Sequence, residues 1–287
     1  MFMIYIPGGN YCIGTNERIG FEYDYEDPRT EISIAPFYID ETTVTNQEFS
    51  EFVKQTGYIT DAEKIGWSYV FKYFIEDINQ ISIEMQKTPW WLAIAGASWC
   101  HPEGPLTDIR TRMDHPVVHV TRNDALAYCQ WAGKRLPTEA EWEIAAQGGT
   151  EYEHYYWGDN LIFSDKHMCN TWQGQFPTLN SLDDGYAGTA PVKTYEPNPY
   201  GLYQMIGNVW EWCVNPGKIE LQSFQIVSGK DFWREHQICD NEQYAIKGGS
   251  FLCHYSYCNR YRMSARNSTT AMTSSQNMGF RCVKDIS

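Results

Sequence analysis

From about residue 150 to the C-terminus, Gly, Asn, Asp, Pro and aromatic residues interleave, with few runs of strand or helix period. A chain that cannot satisfy its backbone in long ladders must pin its loops with side chains, bound cations or disulfides. Short strands are predicted only at residues 244–247, 261–265 and 279–283. The 11 Trp and 20 Tyr suit such pinning, because each supplies a large buried area and a polar tip.

The earlier part of the chain is more regular. Thr45-Asn-Gln-Glu48 is a capping box, followed by Phe49, Phe52 and Val53 at helical spacing and by Gly57 as a stop. A second helix starts after Thr121, runs through Tyr128 and Cys129, buries Trp131 and ends at Gly133. A third follows the capping box Thr138-Glu-Ala-Glu141 and ends at Gly148-Gly149. Residues 58–87 carry only a weak helical pattern, and the opening Met-Phe-Met-Ile-Tyr-Ile-Pro-Gly-Gly reads as a strand and turn. No repeat, low-complexity linker or charge block marks a boundary, so residues 1–287 read as one compact α+β domain with little regular structure.

The net charge of −14 opposes general nucleic-acid binding, which needs phosphate-neutralising Lys and Arg. It fits either solubility or a partner carrying Arg or Lys. No run approaches the roughly 18 apolar residues of a membrane span, and the N-terminus lacks the charged start and cleavage site of a signal peptide. A cytoplasmic protein, without nucleic-acid or membrane partner, is expected.

Nine cysteines occur without any CxxC, which removes the common zinc-ribbon and thioredoxin patterns. Seven histidines show no HxH or HExxH spacing; His115 and His119 lie four apart without a further ligand nearby and read as core or turn residues. Neither G-x-S-x-G nor a Walker loop is present, which leaves hydrolase and nucleotide readings little support.

Three segments carry possible chemistry. The loop from Asn170 to Asp183-Asp184-Gly-Tyr186 offers carboxylate, amide and backbone oxygens, as a hard cation wants, or else a set of Asx turns. In Gly207-Asn-Val-Trp210-Glu-Trp212 an extended chain sets both indoles on one face and Glu211 on the other. That is an aromatic wall with a cation-binding Glu, or a buried aromatic cluster with a satisfied Glu. Cys253 and Cys258 lie five apart: a thiolate pair for soft metal or redox chemistry, a disulfide, a zinc site recruiting Cys239 and His254, or two unrelated core cysteines. They converge only if residues 253–258 bend, and no glycine lies between them to favour that.

The strings Gly248-Gly-Ser-Phe-Leu-Cys253-His-Tyr-Ser-Tyr-Cys258-Asn-Arg-Tyr-Arg262, Asn277-Met-Gly-Phe-Arg-Cys282, Arg135-Leu-Pro-Thr-Glu-Ala-Glu-Trp142 and Gly207-Asn-Val-Trp-Glu-Trp212 resemble the formylglycine-generating enzyme family. Pro89-Trp90-Trp91 and His101-Pro-Glu-Gly-Pro105 match as well, in order over nearly the whole chain. The resemblance implies a fold related to the C-type lectin fold. It implies an oxidoreductase converting the cysteine of a Cys-x-Pro-x-Arg stretch in type I sulfatases to Cα-formylglycine, using O2 and a thiol reductant.

By the same resemblance, Cys253 and Cys258 hold Cu(I), and Ser250, Trp210 and Tyr257 line the substrate pocket, with His254 and Arg262 beside them. Asn170, Thr171, Asp184 and Tyr186 match one calcium site. Gln204, Gly207, Val209 and Glu211 match a second, with Gln204 in place of the usual Asn. Cys129 and Cys282 match a disulfide, whereas a further family pair is absent at Ala146 and Met263. Arg122 stands where Trp is frequent, and Cys100 where Arg is. The implied partner is an unfolded sulfatase chain, met by a monomer. The alternatives are a non-catalytic superfamily member that binds peptides or other ligands, and an ergothioneine-type sulfoxide synthase, whose helical module and histidine triad are not visible in the sequence.

Overall fold

The computed structural model describes residues 2–75, 81–84, 88–151, 154–236 and 242–286. Helices α1 (Asn46–Thr56), α3 (Arg122–Ala132) and α4 (Glu139–Gln147) begin at the expected capping boxes and stop at Gly57, Gly133 and Gly148, all in the left-handed region. These ends are local chemistry: a Thr hydroxyl takes an orphan N–H, and glycine adopts a positive φ without a Cβ clash. A fourth capping box, Thr60 with Glu63, opens the short α2 (Asp61–Ile65) inside the weak segment. Part of that segment lies outside the described residues. The last helix is α5 (Gly229–Glu235). Trp131 is not buried: it is 38% exposed at the end of α3 and packs only partly against Phe52 and Tyr128.

The strands form small sheets. β1 (Met3–Ile6) and β16 (Val283–Asp285) flank β4 (Phe37–Asp40), which joins the two ends of the chain. β2 (Gly9–Ile13) pairs with β3 (Thr30–Ile34), and β5 (Trp67–Phe71) and β6 (Ile81–Glu84) flank β7 (Trp91–Ala95). Two hairpins of two-residue strands follow, β8 (Ile162–Phe163) with β9 (Lys166–His167), and β10 (Gly174–Gln175) with β11 (Leu179–Asn180). The last sheet runs β14-β13-β12-β15, from β12 (Trp210–Pro216), β13 (Gln243–Lys247), β14 (Asn267–Thr270) and β15 (Met278–Gly279). Residues 261–265 are not a strand. Their Arg262 is held by Glu26 through two hydrogen bonds of 2.7 and 2.9 Å, so a side-chain pair replaces the ladder. Among the described residues no helix is long and apolar enough to cross a membrane.

Helix α4 lies at the centre, with eight of its nine residues buried. Its three glutamates are each neutralised by a cation: Glu139 by Arg266 at 2.8 Å, Glu141 by Arg135 at 2.7 Å and Glu143 by Lys247 at 2.9 Å. Trp142 Nε1 donates to Glu211 Oε2 at 2.8 Å, and Arg281 grips both oxygens of Glu211 at 2.6 and 2.8 Å. Buried carboxylates are tolerated only when charge and hydrogen bonds are both met. Cys129 and Cys282 meet in the same core with sulfurs 3.4 Å apart as free thiols. The implied bridge is not formed, because a disulfide holds its sulfurs about 2.0 Å apart. Replacing Arg281 by Met strands the Glu211 charge, so Arg281→Met is expected to cost about 3–5 kcal/mol in urea unfolding. A loss below about 1 kcal/mol would mean that another cation neutralises Glu211.

Candidate active site

The end of β13 leads directly into the site. Lys247 is anchored to Glu143, and Gly248 and Gly249 then turn the chain with φ of 92° and 76°. A Cβ at Gly248 would lie 2.8 Å from the Met205 carbonyl oxygen, and one at Gly249 2.8 Å from Tyr261 Cβ. Only glycine fits both the conformation and the approach. Ser250 follows, fully buried, its hydroxyl oxygen accepting from Asn277 Nδ2 at 2.8 Å, while Ser275 Oγ donates to Asn277 Oδ1.

The bend required between the two cysteines is a single helical turn. The carbonyl of His254 accepts the N–H of Tyr257 at 3.0 Å and that of Cys258 at 2.8 Å. Cys253 N–H donates to the Ser250 carbonyl at 2.9 Å, and the Cys253 carbonyl accepts from Trp172 N–H at 3.0 Å. The sulfurs of Cys253 and Cys258 consequently lie 2.9 Å apart, and Ser250 Oγ is 3.9 Å from Cys253. No glycine is needed, because none of residues 253–258 takes a positive φ and the turn closed by the His254 carbonyl bends the chain enough for the two sulfurs to meet.

The two thiols differ. Burial pushes Cys253 well above the ordinary thiol range. Cys258 is lowered, first by the hydrogen bond from Cys253 and then by Arg260, whose guanidinium and backbone N–H both approach its sulfur. Arg260 is fixed on the other side by an ion pair to buried Asp24, 3.1 Å from Nη2 to Oδ1, and by stacking 4.2 Å from the Phe21 ring centroid. The pair therefore holds its first negative charge on Cys258, with Cys253 as hydrogen-bond donor.

Both sulfurs line an open cavity of about 690 Å³, together with Trp210, Ser250 and Tyr257. Tyr257 is clamped between Trp90, edge-on at 4.8 Å, and Phe176, stacked at 4.8 Å. The five pocket residues expected from sequence are thus gathered at one cavity. His254 and Arg262 do not line it: His254 Nδ1 bonds Ser256 at 2.8 Å, and Arg262 serves Glu26. The aromatic string divides between its two readings. Trp210 walls the cavity, while Trp212 is core, its Nε1 donating to the Val120 carbonyl, and Glu211 is satisfied by Arg281 and Trp142. Phe21, Asp24 and Arg260 carry no sequence signal of this role. Arg260 lies inside the motif, but nothing along the chain ties it to residue 24.

Among the described residues no group of three or more Cys, His, Asp and Glu side chains gathers as a metal cluster. His119 is fully buried between Ser68 Oγ and the Pro102 carbonyl, each at 2.8 Å, and burial lowers its pKa to about 4. His115 bonds Thr189 at 2.9 Å. Both are structural, as expected. Cys239 lies outside the described residues.

The two oxygen-rich sets differ in their fit to a hard cation. Asn170 is fully buried and its Oδ1 has no hydrogen-bond partner. Asp184 lies against the adjacent residue, accepting from Thr171 N–H at 3.2 Å, and also from Tyr186 N–H at 3.0 Å. The Thr171 carbonyl and Asp184 Oδ2 both accept from Gln173 Nε2, so a calcium ion here would displace that amide and would satisfy the buried, unpartnered Asn170 Oδ1. The second set does not fit. Both Glu211 oxygens face the Arg281 fork, and Gln204 Oε1 already accepts from Asn208 Nδ2. A carboxylate neutralised by a guanidinium gains little from a second cation.

The family described as "Sulfatase-modifying factor enzyme 1-like domain" matches residues 2–286. A "Formylglycine-generating enzyme" of Thermomonospora curvata is 46% identical over 284 residues, covering 99% of this chain and 93% of that one. An "Inactive C-alpha-formylglycine-generating enzyme 2" of Bos taurus is 39% identical, covering 98% and 87%. Among solved structures, PvdO from Pseudomonas aeruginosa superposes with a TM-score of 0.69 at 23% identity over 99% of this chain and 94% of that one, a likeness of fold alone. On the whole-length family match and the relatives' identity, the chain belongs to the sulfatase-modifying factor enzyme 1-like family.

Proposed function

We propose that this protein oxidises the cysteine of a Cys-x-Pro-x-Arg stretch in a type I sulfatase chain to Cα-formylglycine, with Cys253 and Cys258 holding copper(I). The observation that carries this reading is the pair of contacting thiols, 2.9 Å apart, opening on a cavity of about 690 Å³. Relatives named for the activity support it at 46% identity. Soft thiolates at low coordination are what copper(I) prefers, and the cavity side of the pair leaves room for a third sulfur from the substrate. When bound there, copper(I) would supply a soft, redox-active centre for the substrate thiolate and O2. Converting the thiol carbon to an aldehyde removes two electrons and releases the sulfur as hydrogen sulfide. O2 accepts four electrons, ending as the aldehyde oxygen and one water, so a thiol reductant supplies the other two and becomes a disulfide.

The protein side chains have separate tasks. Cys258, favoured as thiolate by Cys253 and Arg260, offers the first negative ligand. Ser250 has its oxygen occupied by Asn277 as donor, which directs its own O–H toward the cavity and the Cys253 sulfur. Trp210 and the Trp90–Tyr257–Phe176 stack give the reacting sulfur an apolar wall and keep bulk water from it. The oxygen set at Asn170, Thr171, Asp184 and Tyr186 would hold a structural calcium ion in the same reading.

Two measurements test these assignments. Incubated with Cu(I), O2, a thiol reductant and a Cys-x-Pro-x-Arg peptide, the protein is expected to yield an aldehyde product by mass. Cys253→Ala and Cys258→Ala should each lower the rate at least about a hundredfold, as loss of a metal ligand does. No aldehyde from the unaltered protein, with peptide binding retained, would favour a non-catalytic binding role instead. For the cation, saturating calcium should raise the melting temperature by roughly 5–10 °C over chelated protein, and Asn170→Ala should abolish that difference. A melting temperature indifferent to calcium in the unaltered protein would remove the site.

A further inference from the structure

The aromatic rings beside the thiol pair do not stop at the cavity wall. Tyr257 stacks on Phe176, and Phe176 meets Trp172 edge-on with ring centroids 5.4 Å apart. Trp172 in turn meets Tyr73 at 5.8 Å, and Tyr73 is 45% exposed. Trp172 is also tied to the pair directly, since its backbone N–H donates to the Cys253 carbonyl at 3.0 Å. A run of ring contacts thus leads from the neighbour of Cys258 to solvent, and one hydrogen bond joins its buried indole residue to Cys253.

Packing alone accounts for neither end of this run. A buried indole usually donates its N–H to an acceptor, and a buried polar group left without one calls for an explanation, a redox role among them. Trp172 is buried, and its Nε1 has no hydrogen-bond partner among the described residues. Indole and phenol are the aromatic side chains that give up an electron most readily. An oxidised indole with an acceptor at Nε1 drops its proton and settles as a neutral radical. One without an acceptor keeps the proton and stays strongly oxidising. Trp172 is therefore set to pass an electron and not to hold a radical. Tyr73 has the opposite setting: water reaches its ring, so on oxidation its phenolic proton leaves and the radical comes to rest there.

The reaction proposed above creates a need for such a path. When O2 reacts at the metal before a substrate thiol arrives, an oxidising equivalent is left beside Cys253 and Cys258. Oxidation of a cysteine beyond the sulfenic acid is irreversible, so the ligands themselves are at risk. We propose that Trp172 and Tyr73 then carry electrons inward to the thiol pair, moving the oxidising equivalent out to the protein surface. In each transfer Tyr73 gives an electron to oxidised Trp172 and its phenolic proton to water. A thiol of the reductant returns a hydrogen atom to the Tyr73 oxygen, and two of the resulting thiyl radicals join as a disulfide. Four transfers reduce O2 to two waters, with four thiols ending as two disulfides. This rests on the proposed function and adds a protective path to it.

Mapping of oxidised residues tests the path apart from turnover. Protein loaded with Cu(I) is held under O2 with the thiol reductant and no peptide, then digested, and the sites of oxidation are located by mass. In the unaltered protein the aromatic oxidation marks should fall chiefly on Tyr73. In Tyr73→Phe, which keeps the ring and its packing, they should move inward to Trp172 and to sulfinic and sulfonic acids at Cys253 and Cys258. That variant should convert a Cys-x-Pro-x-Arg peptide at the unaltered initial rate, yet lose this activity severalfold faster during the peptide-free incubation. Tyr73→Trp supplies another oxidisable ring and should restore the slower loss. Tyr5→Phe, at an exposed tyrosine on β1, should leave both the marks and the half-life as they are. Unchanged marks or an unchanged half-life in Tyr73→Phe, or an equal loss in Tyr5→Phe, would overturn the path while peptide conversion stands. No conversion by freshly loaded, unaltered protein would overturn the functional reading itself, and this inference with it.

Discussion

The structure depends on the ion pair between Glu143 in α4 and Lys247 at the end of β13, both side chains almost wholly withdrawn from water. A carboxylate and an ammonium buried this deeply persist only as a pair, so the end of β13 is held to the central helix at one point. Glu143 Oε1 also accepts from Gly14 N–H at 2.6 Å, which ties in the N-terminal ribbon, and Lys247 lies over the Trp142 ring. The same logic is repeated at Glu139–Arg266 and Glu141–Arg135. A chain with few ladders is thus organised around one helix whose Glu139 and Glu143 fix distant segments, while Glu141 holds Arg135 just before the helix. The next three residues after Lys247 are Gly248, Gly249 and Ser250, and the position of Ser250 fixes Cys253.

From that anchor the site is built by short-range chemistry. The Ser250 carbonyl starts a turn, the His254 carbonyl completes a second, and the two sulfurs meet. Support then arrives from far along the chain: Asn277 on Ser250, Trp172 on the Cys253 carbonyl, and Asp24 through Arg260 on Cys258. The result is asymmetric. One thiol is buried as a donor, the other favoured as the anion, and the cavity opens beside both.

What is legible in the sequence follows the range of the interaction. Helix ends are readable because capping boxes and glycine stops are complete within a few residues, and Thr60–Glu63 escapes notice only for want of a periodic run behind it. Trp131 is exposed where burial is expected, because helical position alone does not say whether a last-turn residue has anything above it. Residues 261–265 alternate like a strand, yet Arg262 and Arg266 are spent on Glu26 and Glu139, partners more than a hundred residues away. The Cys253–Cys258 pair cannot be decided from spacing, since its bend is set by carbonyl geometry and not by residue type. The motif resemblance identifies five cavity residues, but it also suggests a cation at Glu211 where the fold supplies Arg281.

The central claim is that Cys253 and Cys258 act as one metal-binding unit. X-ray absorption of protein loaded with a single equivalent of Cu(I), without peptide, tests it most directly. The account predicts one tightly held copper with a first shell of two sulfurs, lost in Cys253→Ser and in Cys258→Ser alike. A nitrogen or oxygen shell, or copper retained unchanged when both cysteines are replaced by serine, would contradict it.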